Sequence, residues 1–191
     1  MLKKTFLSIF LLFSTTFFIA CSNDTKNTND MLSSNEHVLT SLQGKQIVVK
    51  QDTDGFYLVG DKDKLVIFDI FATWCPPCQA SASHLSALQD KYKDDILIIG
   101  VTIEQPEKTA EGVIINDKLK KFRLKYNARY TMVNSDENSA LSDAITKSLK
   151  MGPRYPIPLM AIYKNGKYIN HYVGVIQEEF VESDIKRALN K

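Results

Sequence analysis

The chain has 191 residues, 44% of them hydrophobic and 24% charged, with 24 Lys and Arg against 22 Asp and Glu. That length suits one domain with appendages and a single sizeable core. The near-balance of charge, and the lack of a basic patch, argue against nucleic acid as a partner.

The first twenty residues stand apart. Lys3 and Lys4 make a positive start, Thr5 to Ile19 is apolar apart from Thr and Ser, and Ala20 is a small residue at a cleavage position. The stretch is too short and wrongly flanked for a spanning helix. Phe18-Ile19-Ala20-Cys21 resembles a bacterial lipoprotein signal. The resemblance makes 1–20 a signal peptide and Cys21 the lipidated N-terminus; an uncleaved N-terminal anchor is the alternative. Either way the protein is tethered to a membrane and faces the extracytoplasmic, periplasmic side. Residues 21–36 follow as lipid anchor and flexible tether, because Ser22 to Glu36 is polar and nearly free of large apolar groups. Removing Lys3 and Lys4 leaves 22 basic and 22 acidic residues.

From Val38 the pattern changes. Leu39 to Val49 reads as a hairpin turning at Gln43-Gly44, followed by Asp54-Gly55 and the short run Phe56 to Val59. Leu65 to Phe71 is almost continuously apolar, broken only by Asp69, as in a strand buried on both faces. Ala82, Leu85, Leu88 and Tyr92 then recur at helical spacing, and Ile96 to Val101 is a second buried strand. Val113 to Tyr126 suits an amphipathic helix and Thr131 to Val133 a short strand. Ser139 to Leu149 suits a helix capped by Ser139. Leu159 to Tyr163 and Tyr168 to Val173 form a hairpin around Asn165-Gly166, and Gln177 to Leu189 a last helix. Its early Glu178 and Glu179 and late Lys186 and Arg187 match the helix dipole. No internal repeat is visible. Strands alternating with helices, then a hairpin and a helix, predict an α/β domain with a central mixed sheet flanked by helices.

The chemistry concentrates in Trp74-Cys75-Pro76-Pro77-Cys78, at the junction of the central strand and the following helix. Two cysteines so placed are a redox motif. A structural zinc would need four ligands, and beyond this pair only the scattered His37, His84 and His171 are available, so no metal is expected. Gln79 rather than His follows Cys78, which argues against covalent haem. A lone carboxylate in a buried strand is costly, and desolvation raises the pKa expected for Asp69.

Phe68-Asp-Ile-Phe-Ala-Thr-Trp-Cys-Pro-Pro-Cys78, with Ile157-Pro158 and then Lys164-Asn165-Gly166, resembles the thioredoxin superfamily, in particular its extracytoplasmic TlpA/ResA-type branch. The resemblance implies a thioredoxin-like fold over 37–191, with an N-terminal β-hairpin. It implies a redox disulfide between Cys75 and Cys78, with Cys75 attacking substrate and Cys78 resolving. A thiol at a helix N-terminus favours the attacking thiolate, and Pro76 fits the first turn. Asp69, six residues before Cys75, matches the family's buried proton-shuttling acid. Pro158 matches its cis-proline, which leaves the backbone at Ile157 free for an extended substrate, and Trp74 is expected to line that surface.

Three positions depart from the pattern. Ser81 stands where many of the branch carry glutamate, and Ser83 where a kinking proline is usual. Gly100 stands where thioredoxin has a lysine, which leaves Asp69 with less electrostatic support. The expected function is a tethered thiol–disulfide oxidoreductase without a cofactor, reducing disulfides in partner proteins such as apocytochrome c. A membrane thiol donor would re-reduce it. Donation of its own disulfide to exported proteins is the nearest alternative. A copper metallochaperone using the same cysteines is the alternative from another class.

Overall fold

The computed structural model describes residues 35–134 and 137–191. In chain order these form β1 (Glu36–Thr40), β2 (Gln46–Asp52), β3 (Gly55–Leu58), β4 (Leu65–Phe71), α1 (Pro76–Lys91), β5 (Ile96–Thr102), β6 (Glu107–Lys108) and β7 (Ile114–Ile115). They continue through α2 (Asp117–Lys125), β8 (Thr131–Val133), α3 (Asn138–Ser148), β9 (Leu159–Lys164), β10 (Lys167–Val173) and α4 (Glu178–Leu189). The signal segment, Cys21 and all of the tether before Asn35 lie outside the described residues. Glu36, read as the end of the tether, already pairs with Lys50 across β1 and β2. Among the described residues no helix is long and apolar enough to cross a membrane.

β4 is the centre of a five-stranded sheet ordered β10-β9-β4-β5-β8. β5 runs parallel to β4 and β8 parallel to β5, while β9 is antiparallel to β4 and β10 to β9. Parallel neighbours need crossovers, and α1 and α2 supply them. All seven residues of β4 are buried. Strand alternation sends Leu65, Ile67, Asp69 and Phe71 to one face and Val66, Phe68 and Ile70 to the other.

Each face has its own core. Leu65, Ile67 and Phe71 pack with Ala82, Leu85 and Leu88 of α1, Phe122 of α2 and Ile185 of α4, in a cluster that includes Cys75 and Cys78. Val66, Phe68 and Ile70 pack with Leu141 and Ile145 of α3 and with Leu39, Val49 and Phe56 of the antiparallel β1-β2-β3 sheet. That sheet joins the main one where Ser41 bridges to Val133 and the Asn134 N–H donates to the Thr40 carbonyl. The thioredoxin-like α/β architecture and its N-terminal antiparallel hairpin are as the sequence predicts, with β3 extending the hairpin to three strands.

Two local expectations are corrected. The helix predicted from Val113 begins at Asp117, because Ile114 and Ile115 are taken up in pairing with Lys108 and Glu107. Ser139 does not cap α3, which starts one residue earlier with Glu137 at the cap position and no side-chain cap bond. Asn138 anchors that end, its Nδ2 donating to the carbonyls of Val133 at 3.0 Å and Thr102 at 3.3 Å.

Candidate active site

β4 delivers the chain to Ala72, where a turn closes with the Cys75 N–H donating to the Ala72 carbonyl at 3.2 Å. Cys75 then takes an extended conformation and caps α1, with Pro76 and Pro77 opening the helix. Proline fits there because the first turn has no intrahelical acceptor for its missing N–H. The Cys78 N–H donates to the Cys75 Sγ at 3.4 Å. The sulfur thus occupies the place of a capping oxygen, where unpaired N–H groups and the helix dipole favour negative charge. Cys75 and Cys78 are disulfide-bonded with their Cα atoms 5.3 Å apart. Burial does not separate the two cysteines, which are 3% and 2% exposed. Helix-terminal position distinguishes them instead.

Ile157-Pro158 is the cis peptide bond of the described residues, and the Ile157 carbonyl oxygen lies 3.7 Å from the Cys75 Sγ. The Pro158 carbonyl accepts the Gly174 N–H at 2.8 Å, which holds this segment against the end of β10. Trp74, next to the pair, is 64% exposed, an unusual position for so large an apolar ring. The structure therefore brings the Cys75–Cys78 pair against the Ile157-Pro158 segment, with the exposed Trp74 next to Cys75 in the chain.

Asp69 lies beneath, 1% exposed on the face of β4 that carries the cysteine cluster. Burial pushes its carboxyl up to about 7, and a hydrogen bond from Tyr130 opposes the rise. The Tyr130 hydroxyl donates to Asp69 Oδ2 at 3.0 Å, while Oδ1 has no partner among the described residues. Burial, together with the adjacent carboxylate, raises the Tyr130 phenol well above its usual value, so it stays a donor. Gly100 sits directly opposite Asp69 in β5. A Cβ there would come within 2.9 Å of the Tyr130 ring and 3.2 Å of Phe71. The glycine that the sequence reading takes as a loss of support makes room for the tyrosine that supplies it.

The loop before Cys75 is held from the other side. Glu104 Oε2 accepts the Thr73 N–H at 2.6 Å and Oε1 accepts the Thr73 hydroxyl at 3.0 Å. Gln79 Nε2 donates to the Thr73 carbonyl at 2.8 Å, and the Glu104 N–H donates to Thr102 Oγ1 at 3.1 Å. Sequence reasoning missed Tyr130 and Glu104, since no local pattern links them to the motif, and it read Gln79 only as the lack of a haem-site histidine after Cys78. Ser81 donates to the carbonyls of Pro77 and Cys78 in its own helix, each at 3.2 Å. His84 is exposed on α1 and His171 bonds the Tyr168 hydroxyl at 2.7 Å. Among the described residues no group of three His, Cys, Asp or Glu side chains is arranged to hold a metal ion.

Comparison with known proteins points the same way. The thioredoxin family profile matches residues 46–147. The thiol-disulfide oxidoreductase ResA of Bacillus anthracis is 25% identical over 154 residues, covering 78% of this chain and 73% of that protein. A thiol:disulfide interchange protein of Chlorobium tepidum matches with TM-score 0.61 at 18% identity, covering 81% of this chain and 94% of that one. A secreted Mycobacterium tuberculosis disulfide oxidoreductase homologous to E. coli DsbE matches with TM-score 0.55 at 15% identity, over 78% and 94%.

Proposed function

Because the chain belongs to the thioredoxin family and is a thiol–disulfide oxidoreductase, we propose that it reduces disulfides in partner proteins outside the cytoplasm, tethered through Cys21. The observation that carries the redox chemistry is the capping geometry of Cys75, and what supports the reducing direction is the burial of the pair, at 3% and 2% exposed. In the reduced protein, Cys75 is the thiolate and attacks one sulfur of a substrate disulfide. A mixed disulfide forms and the other substrate sulfur leaves as a thiol. Cys78 then attacks the Cys75 sulfur, the second substrate thiol departs, and the Cys75–Cys78 disulfide is left. Two electrons pass to the substrate.

The resolving step needs a base for the Cys78 proton. Asp69, with its carboxyl near neutrality, serves as that base, and Tyr130 holds it in place. Trp74, Ile157 and Pro158 form the rim on which the substrate chain lies. Apocytochrome c is the proposed client class, and a membrane thiol carrier the proposed donor of electrons.

Variants of the two cysteines test the roles directly. Cys75→Ser abolishes turnover, and Cys78→Ser accumulates mixed disulfides that dithiothreitol releases, read on non-reducing gels. A Cys78→Ser protein that traps nothing, from a wild type that turns over, contradicts the assignment.

A further inference from the structure

α2 reads Asp117-Lys-Leu-Lys-Lys-Phe-Arg-Leu-Lys125, and its buried residues are Leu119 and Phe122. The helix docks by that narrow stripe and turns its cations outward. Between 117 and 129 six basic residues stand against the single carboxylate of Asp117. The whole chain has 24 against 22, so the remainder carries an excess of acid. The near-neutral composition conceals a strongly basic helix, which corrects the reading of the sequence as one without a basic patch.

This helix stands beside the redox pair. A groove of about 260 Å³ runs between α2 and the active-site loop, lined by Lys118, Lys121, Lys125 and Tyr126 together with Thr73 and Gln79. Thr73 is two residues before Cys75, and Gln79 directly follows Cys78. Lys118 pairs with Glu107 at 3.1 Å, and the Lys125 ammonium lies 5.0 Å from the centre of the Tyr126 ring. Lys121 is exposed and has no ion-pair partner among the described residues. A cleft lined by one sign of charge focuses the field and raises local concentrations of the opposite sign. Ile157 and Pro158 meet Cys75 through the Ile157 carbonyl, whereas the lysine groove reaches the loop through Thr73 and Gln79, so the two surfaces are distinct.

We propose that the α2 groove docks an acidic flank of the disulfide-bearing substrate protein. Carboxylates next to the substrate cysteine pair with Lys118, Lys121 and Lys125 as that cysteine meets Cys75. This rests on the redox reading above and adds the chemistry of the partner. The groove acts mainly on the rate of encounter, because exposed charges steer association more than they add affinity.

The test compares two disulfide peptides of one sequence, one flanked by three glutamates and one by three lysines. Reduced full-length protein is mixed with each in stopped flow at 20 mM and 500 mM salt. Trp74, the one tryptophan of the chain and the neighbour of Cys75, reports the reaction. At low salt the acidic peptide reacts roughly tenfold or more faster. At 500 mM the ratio shrinks towards one as the charges are screened. In a Lys121→Glu, Lys125→Glu double variant the ratio falls to one or below at low salt.

Equal rates for the two peptides in the wild type, or a preference that the double variant keeps, overturn the proposal. Loss of binding to phosphatidylglycerol vesicles in the double variant, alongside equal peptide rates, makes the face a membrane contact and overturns it too. A reduced protein that reacts with neither peptide overturns the redox reading itself.

Discussion

At Asp69 a desolvated carboxyl is held within a hydrogen bond of one hydroxyl, and the consequence is a pH-dependent stability. Its carboxyl titrates at about 7 in the fold against 3.8 for the free group. The native state therefore keeps this proton over a range where the unfolded chain has lost it. Its contribution to stability is fully present below about pH 4, declines as pH rises towards 7, and is lost above that. A gap of this size corresponds to about 4 kcal/mol as an upper figure. Asp69→Asn is thus expected to raise the unfolding free energy at pH 8 by up to about 4 kcal/mol, and to change it little at pH 4. Urea denaturation of the oxidised protein at the two pH values checks this; equal effects at both would remove the desolvated carboxyl from the account. Tyr130→Phe takes away the donor to Oδ2 without opening a cavity. It is expected to move the Asp69 titration upward by about one pH unit. Carboxyl carbon NMR reads that shift, and the pH profile of Cys78 alkylation should follow it. An unmoved titration would show that the hydroxyl does not support the ionised carboxyl.

The segment from β4 through α1 is legible in the sequence because everything that fixes it is local. An apolar run sets the strand, Cys75 and the prolines set the helix start, and Ala82, Leu85 and Leu88 set its buried face. The hairpin at Asn165-Gly166 is legible for the same reason, with both residues at positive φ in the turn. Pairing across long separations is not legible. Ile114 and Ile115 satisfy a helical pattern, yet their partners in β6 draw them into a strand. Tyr130 reaches Asp69 across 61 positions and Thr73 reaches Glu104 across 31, which no local periodicity encodes. The packing of β1-β2-β3 on the main sheet belongs to the same class. Phe56 meets Phe68 and Tyr163 edge-on, with ring centres 6.1 and 5.2 Å away, and is fully buried. Phe56→Ala is expected to cost about 3–5 kcal/mol of stability. Its cluster lies on the face of β4 opposite the cysteines, so the reduction potential of the pair is expected to stay within a few millivolts. Denaturation and redox titration of the same preparation separate the two effects; a shifted potential would show that the faces are coupled through β4.

Seen as a whole, the molecule divides its work between the two ends of its strands and the two faces of its sheet. The carboxyl end of β4 carries the redox loop. One face supplies the acid beneath it, and the other packs α3 and the β1-β2-β3 sheet against β4. Charge follows a similar division, since a chain of formal net charge +2 gathers six of its cations on and just after α2. Composition averages this away, and only the fold sets that helix against Thr73 and Gln79. The direction of electron flow is a property of the same whole. Stabilising the Cys75 thiolate favours the reduced form and makes the disulfide oxidising, whereas a strongly desolvated site does the reverse. The burial of the pair, over a carboxyl that burial also raises, is what supports the reducing direction we propose. The reduction potential of the Cys75–Cys78 couple, by equilibration against dithiothreitol or glutathione buffers, tests that claim most directly. A value near or below about −250 mV, close to that of thioredoxin, is the predicted result; a value above about −150 mV would make the protein a disulfide donor and contradict it.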